Sequence, residues 1–240
     1  MRTLICLSLV LSLVGCSSVT IHDTYPHSTD AFTQGLEYYN KSVLLESTGL
    51  YSHSSLRKVD IASGKTLSIY RFPDEIFAEG LTYINDEIIV LSWKENSVFY
   101  FDENLTLLRT DRYKGEGWGL TDNGTHLSMS NGSAYIQVRD PESFDILNTY
   151  LVEIDGEPIS RLNELEYVDG DIYANVWQED IIVQINTDTY NGEIHTVPQL
   201  LSPQESASAD VLNGIAHYPG QETLLITGKL WPHMYNITLK

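Results

Sequence analysis

The sequence predicts an all-β protein with the architecture of a five-bladed β-propeller. Five segments share one outline, in which a small motif is followed by a turn and a strand. They are TQGLEYYNKSVLLEST, AEGLTYINDEIIVLSW, GWGLTDNGTHLSMSNG, NELEYVDGDIYANVW and LNGIAHYPGQETLLITGK. Their anchor residues Leu36, Leu81, Leu120, Leu165 and Ile215 recur about every 40 to 50 residues, the length of a blade of four short strands.

Strands rather than helices fill the sequence between the anchors. Stretches such as SVFYFDENLTLLRTDRY and IIVQINTDTYNGEIHTV contain two β-rich runs around an Asp, Asn or Gly turn. No helical apolar period of useful length occurs after residue 20. We expect the blades to occupy about residues 32–240, and VTIHDTYPH at 19–27 to add a strand that closes the ring. The WD dipeptide of WD40 arrays is absent from the sequence.

The charge balance argues against nucleic acid as a partner. The chain of 240 residues has 33 acidic and 14 basic side chains and a formal net charge of −19, a surface that repels phosphate backbones. Its composition, 42% hydrophobic and 20% charged, is typical of a soluble globular protein. We expect a monomer.

The N-terminal segment MRTLICLSLVLSLVGC has the features of a secretion signal. Arg2 precedes an apolar stretch that is too short to span a membrane as a mature helix, and the stretch ends in Leu13-Val14-Gly15-Cys16. This ending resembles a bacterial lipobox, in which a lipid is attached to the cysteine before cleavage. The alternative is an ordinary secretory signal with an incidental cysteine, but the small Gly15 beside Cys16 favours a lipoprotein.

The lipoprotein interpretation divides the chain into three parts. Residues 1–15 are the signal peptide, 16–20 the lipidated Cys16 with a short tether, and 21–240 a single β-propeller domain. We expect a protein of the bacterial cell envelope, on the periplasmic or extracellular face of a membrane that it contacts only through its lipid. With Cys6 removed and Cys16 acylated, the mature chain has no thiol for a disulfide, a metal or a nucleophile.

Two sets of repeat-equivalent residues are candidates for a site. A propeller gathers its inner strands around a central channel, so equivalent positions of different blades meet there. Two residues before the anchors lie Gln34, Glu79, Trp118, Asn163 and Asn213. At the end of the following strand lie Thr48, Trp93, Gly132, Trp177 and Lys229.

The chemistry of these positions varies from blade to blade, which favours a site over a purely structural repeat. Three of the four Trp residues fall in the two rings and are suited to the walls of a ligand pocket. The alternative for each Trp is a core aromatic. Alternation along the strand turns Glu164 and Glu166 away from Asn163, so we expect them to have a structural or supporting role.

Seven fragments in collinear order, over about residues 32–235, resemble one family. They are FTQGLEY, ESTGLYSHSSLRKVD, FAEGLTY, GEGWGLT, LNELEY, ANVW and LNGIA…TGKLWP. Together they resemble the glutaminyl-peptide cyclotransferases, or glutamine cyclotransferases, of the plant and bacterial type. The resemblance implies a five-bladed propeller with its active site at the central channel. It also implies the conversion of the N-terminal glutamine of peptides and proteins into pyroglutamate, with loss of ammonia.

The same resemblance assigns residue roles. It implies that the catalytic residues are Glu79, Asn163 and Lys229. It implies that the substrate is bound by Phe32, Gln34, Trp93, Trp118 and Trp177, and the ring comparison adds Asn213 to that group.

Intramolecular aminolysis needs the kinds of group that these residues provide. The α-amine of the substrate attacks its own side-chain amide, so no covalent enzyme nucleophile is needed. A carboxylate such as Glu79 can move the proton from the amine to the departing NH₂. Asn163 and Lys229 can polarise the γ-carbonyl, and a Trp box can fold the Gln side chain toward its amine. No cofactor is required by this chemistry.

Two other functions stay open at this point. One is a metal-dependent propeller lactonase, although the first ring contains only one carboxylate. The other is a propeller that binds peptides or sugars without catalysis, for which a replaced Glu79 or Lys229 would be typical. No HExxH motif, G-x-S-x-G elbow, P-loop or dinucleotide fingerprint is present. A structural cation in the channel also stays open.

Overall fold

The computed structural model describes residues 19–240, so the predicted signal peptide and Cys16 lie outside the described residues. Five antiparallel four-stranded sheets form the five blades of a propeller, which confirms the predicted fold. Within the described residues, no helix has the length and apolar character needed to cross a membrane.

The strands follow one another from the inside to the outside of each blade. The N-terminal strand is β1 (Thr20–Pro26). Blade 1 consists of β2 (Thr33–Asn40), β3 (Val43–Thr48), β4 (Ser55–Asp60) and β5 (Lys65–Arg71). Blade 2 consists of β6 (Ala78–Ile84), β7 (Glu87–Ser92), β8 (Ser97–Phe101) and β9 (Leu107–Arg112). Blade 3 consists of β10 (Leu120–Asp122), β11 (Leu127–Met129), β12 (Tyr135–Arg139) and β13 (Ile146–Leu151).

A small hairpin separates the third blade from the fourth, and one helical turn precedes the fifth. The hairpin is β14 (Glu153–Ile154) with β15 (Glu157–Pro158). Blade 4 consists of β16 (Leu162–Val168), β17 (Asp171–Val176), β18 (Ile181–Asn186) and β19 (Gly192–Thr196). After α1 (Pro203–Ser206), blade 5 consists of β20 (Leu212–His217), β21 (Leu224–Gly228) and β22 (His233–Thr238), with β1 as its outermost strand.

The first strand of the described residues, β1, closes the ring. Along β1 and β22 the antiparallel register runs from Thr20 opposite Thr238 to Pro26 opposite His233, with an irregularity after Ile21. This pairing confirms the closing strand predicted from VTIHDTYPH. Blade 5 is therefore built from both ends of the folded chain.

The hydrophobic core lies between the faces of neighbouring blades. In the described residues, five buried clusters fill the five blade interfaces. Leu45 of blade 1 and Val90 of blade 2, for example, share one cluster. The fourth strands are more exposed, because their outer side has no further sheet to cover it, as the pattern of β5 shows.

The inner strands approach one another closely around the channel. A Cβ atom on Gly35 would lie 2.5 Å from the backbone N of Leu81, and a Cβ on Gly80 would lie equally close to the N of Leu120. Real side chains do not reach such distances, so these positions require glycine.

Blade 4 has Glu164 at the position that these glycines occupy. Its Oε1 accepts a hydrogen bond from Leu36 N at 3.2 Å and its Oε2 one from Ile215 N at 2.8 Å. Glu166, two residues on, accepts one from His217 N at 2.7 Å. Glu164 thus joins blade 4 to blade 1 across the channel and to its neighbour blade 5, and Glu166 adds a second bond to blade 5, in agreement with the structural role expected for them.

Candidate active site

The residues of the first predicted ring lie at one end of the channel. Gln34, Glu79, Asn163 and Asn213 are each the second residue of an inner strand, and Trp118 lies two residues before β10. Since all inner strands run in the same direction, these positions meet at one face of the propeller.

A cavity of about 240 Å³ opens at this face. It is lined by Phe32, Gln34, Leu50, Phe77, Glu79, Trp93, Trp118, Asn163, Trp177 and Lys229. Eight of the nine residues predicted to act on or bind the substrate therefore lie together, although they come from all five blades.

The second ring is positioned by a repeated backbone hydrogen bond. In four blades the residue that follows the second strand donates its N–H to a carbonyl before the first strand. The pairs are Gly49 to Phe32, Trp93 to Phe77, Trp177 to Arg161 and Lys229 to Val211, at 2.8–2.9 Å. The equivalent of Trp93 in blade 1 is therefore Gly49 and not Thr48, so the predicted ring was wrong by one residue in that blade.

Glu79 is a buried carboxyl group, with 5% of its surface exposed. Burial raises the pKa of Glu79 well above its usual value of 4.5. The positive charge of Lys229 opposes this rise in the pKa, while the negative charges of Glu95 and Glu116 add to it. A carboxyl whose pKa moves toward neutrality is suited to both accepting and donating a proton.

Lys229 is the buried cation of the site and is also 5% exposed. Burial lowers the pKa of Lys229 below 10.5, and the negative charges of Glu79 and Asp210 counteract part of this change in the pKa. Its Nζ lies 4.8 Å from the centre of the Phe32 ring. The ammonium group therefore has an aromatic face on one side, a favourable position for a desolvated cation.

Asn163 and Asn213 occupy equivalent positions but different surroundings. Asn163 lines the cavity, and its backbone carbonyl accepts a hydrogen bond from Ser130 Oγ at 2.6 Å. Asn213 is fully buried, and its Nδ2 lies 2.9 Å from the carbonyl of Thr33 and 3.4 Å from Oε1 of Gln34. Asn213 therefore lies behind Gln34 and does not itself line the cavity.

The aromatic walls pack against one another in two groups. The ring centres of Trp118 and Trp177 are 5.7 Å apart and nearly perpendicular. Those of Phe77 and Trp93 are 5.5 Å apart, and Phe32 meets Phe77 edge to face at 6.3 Å. Such contacts add to the energy of burial and restrict the rings.

Four residues at the site were missed in the sequence analysis. Phe77 and Leu50 line the cavity, and two carboxylates, Glu95 and Glu116, lie beside it. A signal for Phe77 was present, because it precedes Glu79 by two residues as Phe32 precedes Gln34. The two carboxylates lie in loops without repeat-equivalent partners, so the repeats gave no signal for them.

Glu95 and Glu116 both accept hydrogen bonds from aromatic residues at the mouth of the cavity. Tyr51 donates its hydroxyl to Oε1 of Glu95 at 2.8 Å. Trp93 and Trp118 donate their indole N–H groups to Oε2 of Glu116 at 2.9 and 3.2 Å. The aromatic walls are thus held by acceptors as well as by packing.

Among residues 19–240, no group of three or more His, Cys, Asp or Glu side chains is arranged to hold a metal ion. That no cofactor is required stays a prediction, and a structural cation in the channel stays an open alternative.

Comparison with known proteins agrees with the predicted fold and with the family that the sequence resembles. The sequence profile described as glutamine cyclotransferase matches residues 11–239. A glutaminyl-peptide cyclotransferase from Arabidopsis thaliana is 37% identical over 224 residues, which are 90% of this chain and 69% of that protein.

Among solved structures, a glutaminyl cyclase from Myxococcus xanthus superposes with a TM-score of 0.82 at 33% identity, covering 92% of this chain and 96% of that one. A virginiamycin B lyase from Staphylococcus aureus has a TM-score of 0.52 at 14% identity, over 87% of this chain and 66% of that one, a likeness of fold alone. The family match and the two relatives above 30% identity lead to one conclusion: the chain belongs to the glutamine cyclotransferase family.

Proposed function

We propose that this protein converts the N-terminal glutamine of peptides and proteins into pyroglutamate and releases ammonia. Family membership and the names of the two relatives support this activity. The observation that carries the proposal is the placing of a buried carboxyl, Glu79, and a buried ammonium, Lys229, in one cavity with aromatic walls.

Glu79 transfers the proton in this proposal. The α-amine attacks the γ-amide carbon and forms the C–N bond of a five-membered ring, while its proton passes to the Glu79 carboxylate. The same carboxyl then protonates the NH₂ group as the old C–N bond breaks, so that ammonia leaves. The raised pKa of Glu79 supports this role, because a carboxylate with a higher pKa is a stronger base toward the proton on the attacking nitrogen of the substrate.

Asn163 and Lys229 stabilise the oxyanion. During attack, negative charge develops on the γ-carbonyl oxygen, and fixed donors are most effective when they are already aimed at that position. The amide of Asn163 and the ammonium of Lys229 provide one neutral and one charged donor in the same cavity. Each preorganised donor of this kind is worth roughly 2–4 kcal/mol.

The remaining residues hold the substrate in the geometry for attack. Trp93, Trp118 and Trp177, with Phe32, contact the apolar part of the Gln side chain and fold it toward its own amine. Gln34 orients the amide or the amino group by hydrogen bonding. Asn213 acts through Gln34, whose side-chain oxygen lies 3.4 Å from Asn213 Nδ2.

The activity is tested directly with a Gln-initiated peptide. Mass spectrometry follows the loss of ammonia from the peptide as it is converted. The control is the same peptide with an acetylated N-terminus, because it lacks the attacking amine. We expect turnover of the free peptide alone, both with and without EDTA. No turnover above the spontaneous rate would refute the activity, and loss of turnover in EDTA would point to a metal mechanism, as in the lactonase alternative.

We also propose that the protein is a monomer anchored to the bacterial envelope through a lipid on Cys16. The Leu-Val-Gly-Cys ending of the apolar segment supports this anchor. Cys16→Ser should move the protein from the membrane fraction to the soluble fraction, and the mass of the wild-type N-terminal peptide should include the acyl chains. An unmodified Cys16 in a protein of native activity would exclude the lipoprotein.

A further inference from the structure

Glu116 lies at the mouth of the cavity, in the loop between β9 and Trp118. Its Oε2 accepts the indole N–H groups of two residues, Trp93 at 2.9 Å and Trp118 at 3.2 Å. Its Oε1 lies 3.7 Å from Nζ of Lys94, and 43% of the Glu116 side chain is exposed. One carboxylate oxygen therefore receives both indoles that line this part of the cavity.

The two indoles have few other ways to satisfy their N–H groups. An indole nitrogen can only donate, and a carboxylate oxygen has two lone pairs that can receive two donors. Hydrogen bonds to a charged acceptor are about twice as strong as neutral ones. Glu116 thus fixes the rotation of both rings with one group.

Glu116 also connects the two groups of aromatic walls. Trp93 belongs to blade 2 and packs on Phe77, whereas Trp118 belongs to blade 3 and packs on Trp177. The carboxylate of Glu116 lies between them and joins the walls across the blade interface. A change in its position moves both groups.

We propose that Glu116 is a positioning residue that sets the width of the aromatic cavity by holding Trp93 and Trp118. The inference rests on the proposed function, in which these indoles hold the Gln side chain. Glu116 does not need to contact the substrate, because it acts through the two rings.

A simple surface ion pair is the competing explanation. Lys94 and Glu116 are 51% and 43% exposed in their side chains and 3.7 Å apart, and exposed pairs of this kind contribute little. If the pair with Lys94 were the purpose of Glu116, replacing the carboxylate by an amide would have the same effect as removing the side chain. If the indoles are its purpose, the amide oxygen of Gln can still accept from them.

Two variants separate the explanations. Glu116→Ala removes the acceptor, while Glu116→Gln keeps an acceptor oxygen without the charge. Glu222→Ala is the matched control, because Glu222 is an exposed carboxylate in the turn between β20 and β21, at the far end of that inner strand from Asn213.

The first measurement does not depend on activity. The chain has four Trp residues, so a ¹H–¹⁵N spectrum has four indole signals, which Trp→Phe variants assign. In Glu116→Ala the signals of Trp93 and Trp118 should shift, while those of Trp177 and Trp231 change less and report that the fold is intact. Glu116→Gln should shift the same two signals less. Unmoved signals for Trp93 and Trp118 in Glu116→Ala would overturn the proposal.

The second measurement is steady-state turnover of a Gln-initiated peptide. We expect KM to rise about tenfold in Glu116→Ala, which corresponds to about 1.4 kcal/mol, because both indoles lose their common acceptor. The change in kcat should be smaller. Glu116→Gln should recover most of the wild-type KM. A partly unfolded variant would instead show a lower kcat at an unchanged KM, because fewer molecules are active. If Glu116→Ala is folded and its KM is unchanged, the proposal is overturned. If wild type itself shows no turnover, the proposed function fails, while the indole signals still test the positioning.

Discussion

His27 and Glu46 form a buried ion pair, in which Nε2 of the imidazole lies 2.8 Å from Oε1 of the carboxylate and both side chains are 1% exposed. The other ring nitrogen, Nδ1, lies 2.8 Å from the carbonyl of Trp231. Both ring nitrogens therefore face acceptors, an arrangement that favours the doubly protonated imidazole. The pair lies where the closing strand β1 meets blades 1 and 5.

Removing His27 should strongly destabilise the closed ring. His27→Ala leaves the carboxylate of Glu46 buried without its partner, and breaking a buried pair in this way costs about 3–5 kcal/mol. Urea unfolding measures the loss. The control is His22→Ala on β1, the strand that ends just before His27, because His22 is exposed and lies 2.6 Å from Thr238 Oγ1 at the surface. Its change should stay within about 0.5 kcal/mol. Equal losses in the two variants would contradict a special role for the buried pair.

The same pair predicts how stability depends on pH. Burial alone would lower the pKa of His27, but the charge and hydrogen bond of Glu46 raise this pKa above 6.5. Burial alone would raise the pKa of Glu46, but His27 lowers it below 4.5. The contribution of His27 to the unfolding free energy is therefore complete below pH 6.5 and is lost as the pH rises through its folded pKa. The contribution of Glu46 is complete above pH 4.5 and is lost as the pH falls through its folded pKa. The difference in unfolding free energy between wild type and His27→Ala should be largest between pH 4.5 and 6.5; a difference that grows above that range would refute this assignment.

Glu166→Gln should leave the protein as stable as wild type, or more stable, at neutral pH. Burial, and then the charges of Glu37 and Glu164, raise the pKa of Glu166 well above 4.5. The folded state then binds this proton more tightly than the unfolded state, so the group costs stability as the pH rises above 4.5. The amide oxygen of Gln can still accept from His217 N, without that cost. Thermal unfolding from pH 4 to 8 measures the effect. If the variant is less stable than wild type, and EDTA destabilises the wild type, a structural cation in the channel would be favoured instead.

Glu79→Gln should lose turnover and keep the fold. An amide has the shape of the carboxyl but cannot accept and return a proton, and proton transfer by a positioned group is worth about 10²–10⁴-fold in rate. We expect kcat to fall by at least about 100-fold with unchanged unfolding. Glu75→Gln, on an exposed carboxylate four residues earlier, should retain wild-type kcat. A near-native rate in Glu79→Gln would remove Glu79 from its role.

Two charge changes should shift the acidic limb of the pH profile in opposite directions. Lys229 lowers the pKa of Glu79 and Glu95 raises it, and activity that needs the Glu79 carboxylate falls as the pH drops through that pKa. Lys229→Gln should therefore move the acidic limb of kcat/KM to higher pH, besides lowering kcat about 100-fold through loss of an oxyanion donor. Glu95→Gln should move the limb to lower pH. Shifts in the same direction would show that another group controls the limb.

The repeats made much of the site predictable. Glu79, Asn163 and Lys229 are far apart in sequence, yet their places in the two rings of repeat-equivalent positions predicted that they meet, and all three line the cavity. The error at Thr48 has a local cause. The register of β2 and β3 shifts between Tyr38 and Asn40, and such a bulge adds one residue that blade 2 lacks at this place.

Other parts of the site depend on geometry that the repeats do not encode. Gly214 has a φ of +120°, a conformation that the equivalent glycines of the other blades do not share. The preceding Asn213 contacts Thr33 and Gln34 and does not line the cavity. Glu116 lies in a loop, and its role depends on the distance between two indoles from different blades. Only the folded structure contains that distance.

The sharing of blade 5 between the two ends of the chain has a consequence for biosynthesis. A nascent chain that has emerged as far as β21 has an N-terminal strand with no partner, because β22 has not yet been made. Lys229, directly after β21, is synthesised just before β22. Four blades can thus assemble in the order of translation, whereas the proposed catalytic residues are complete only once Lys229 has been made, and the ring closes only once β22 has been made. A chain truncated before β22 therefore loses closure of the ring, and one truncated before Lys229 also loses the ammonium group to which we assign a catalytic role.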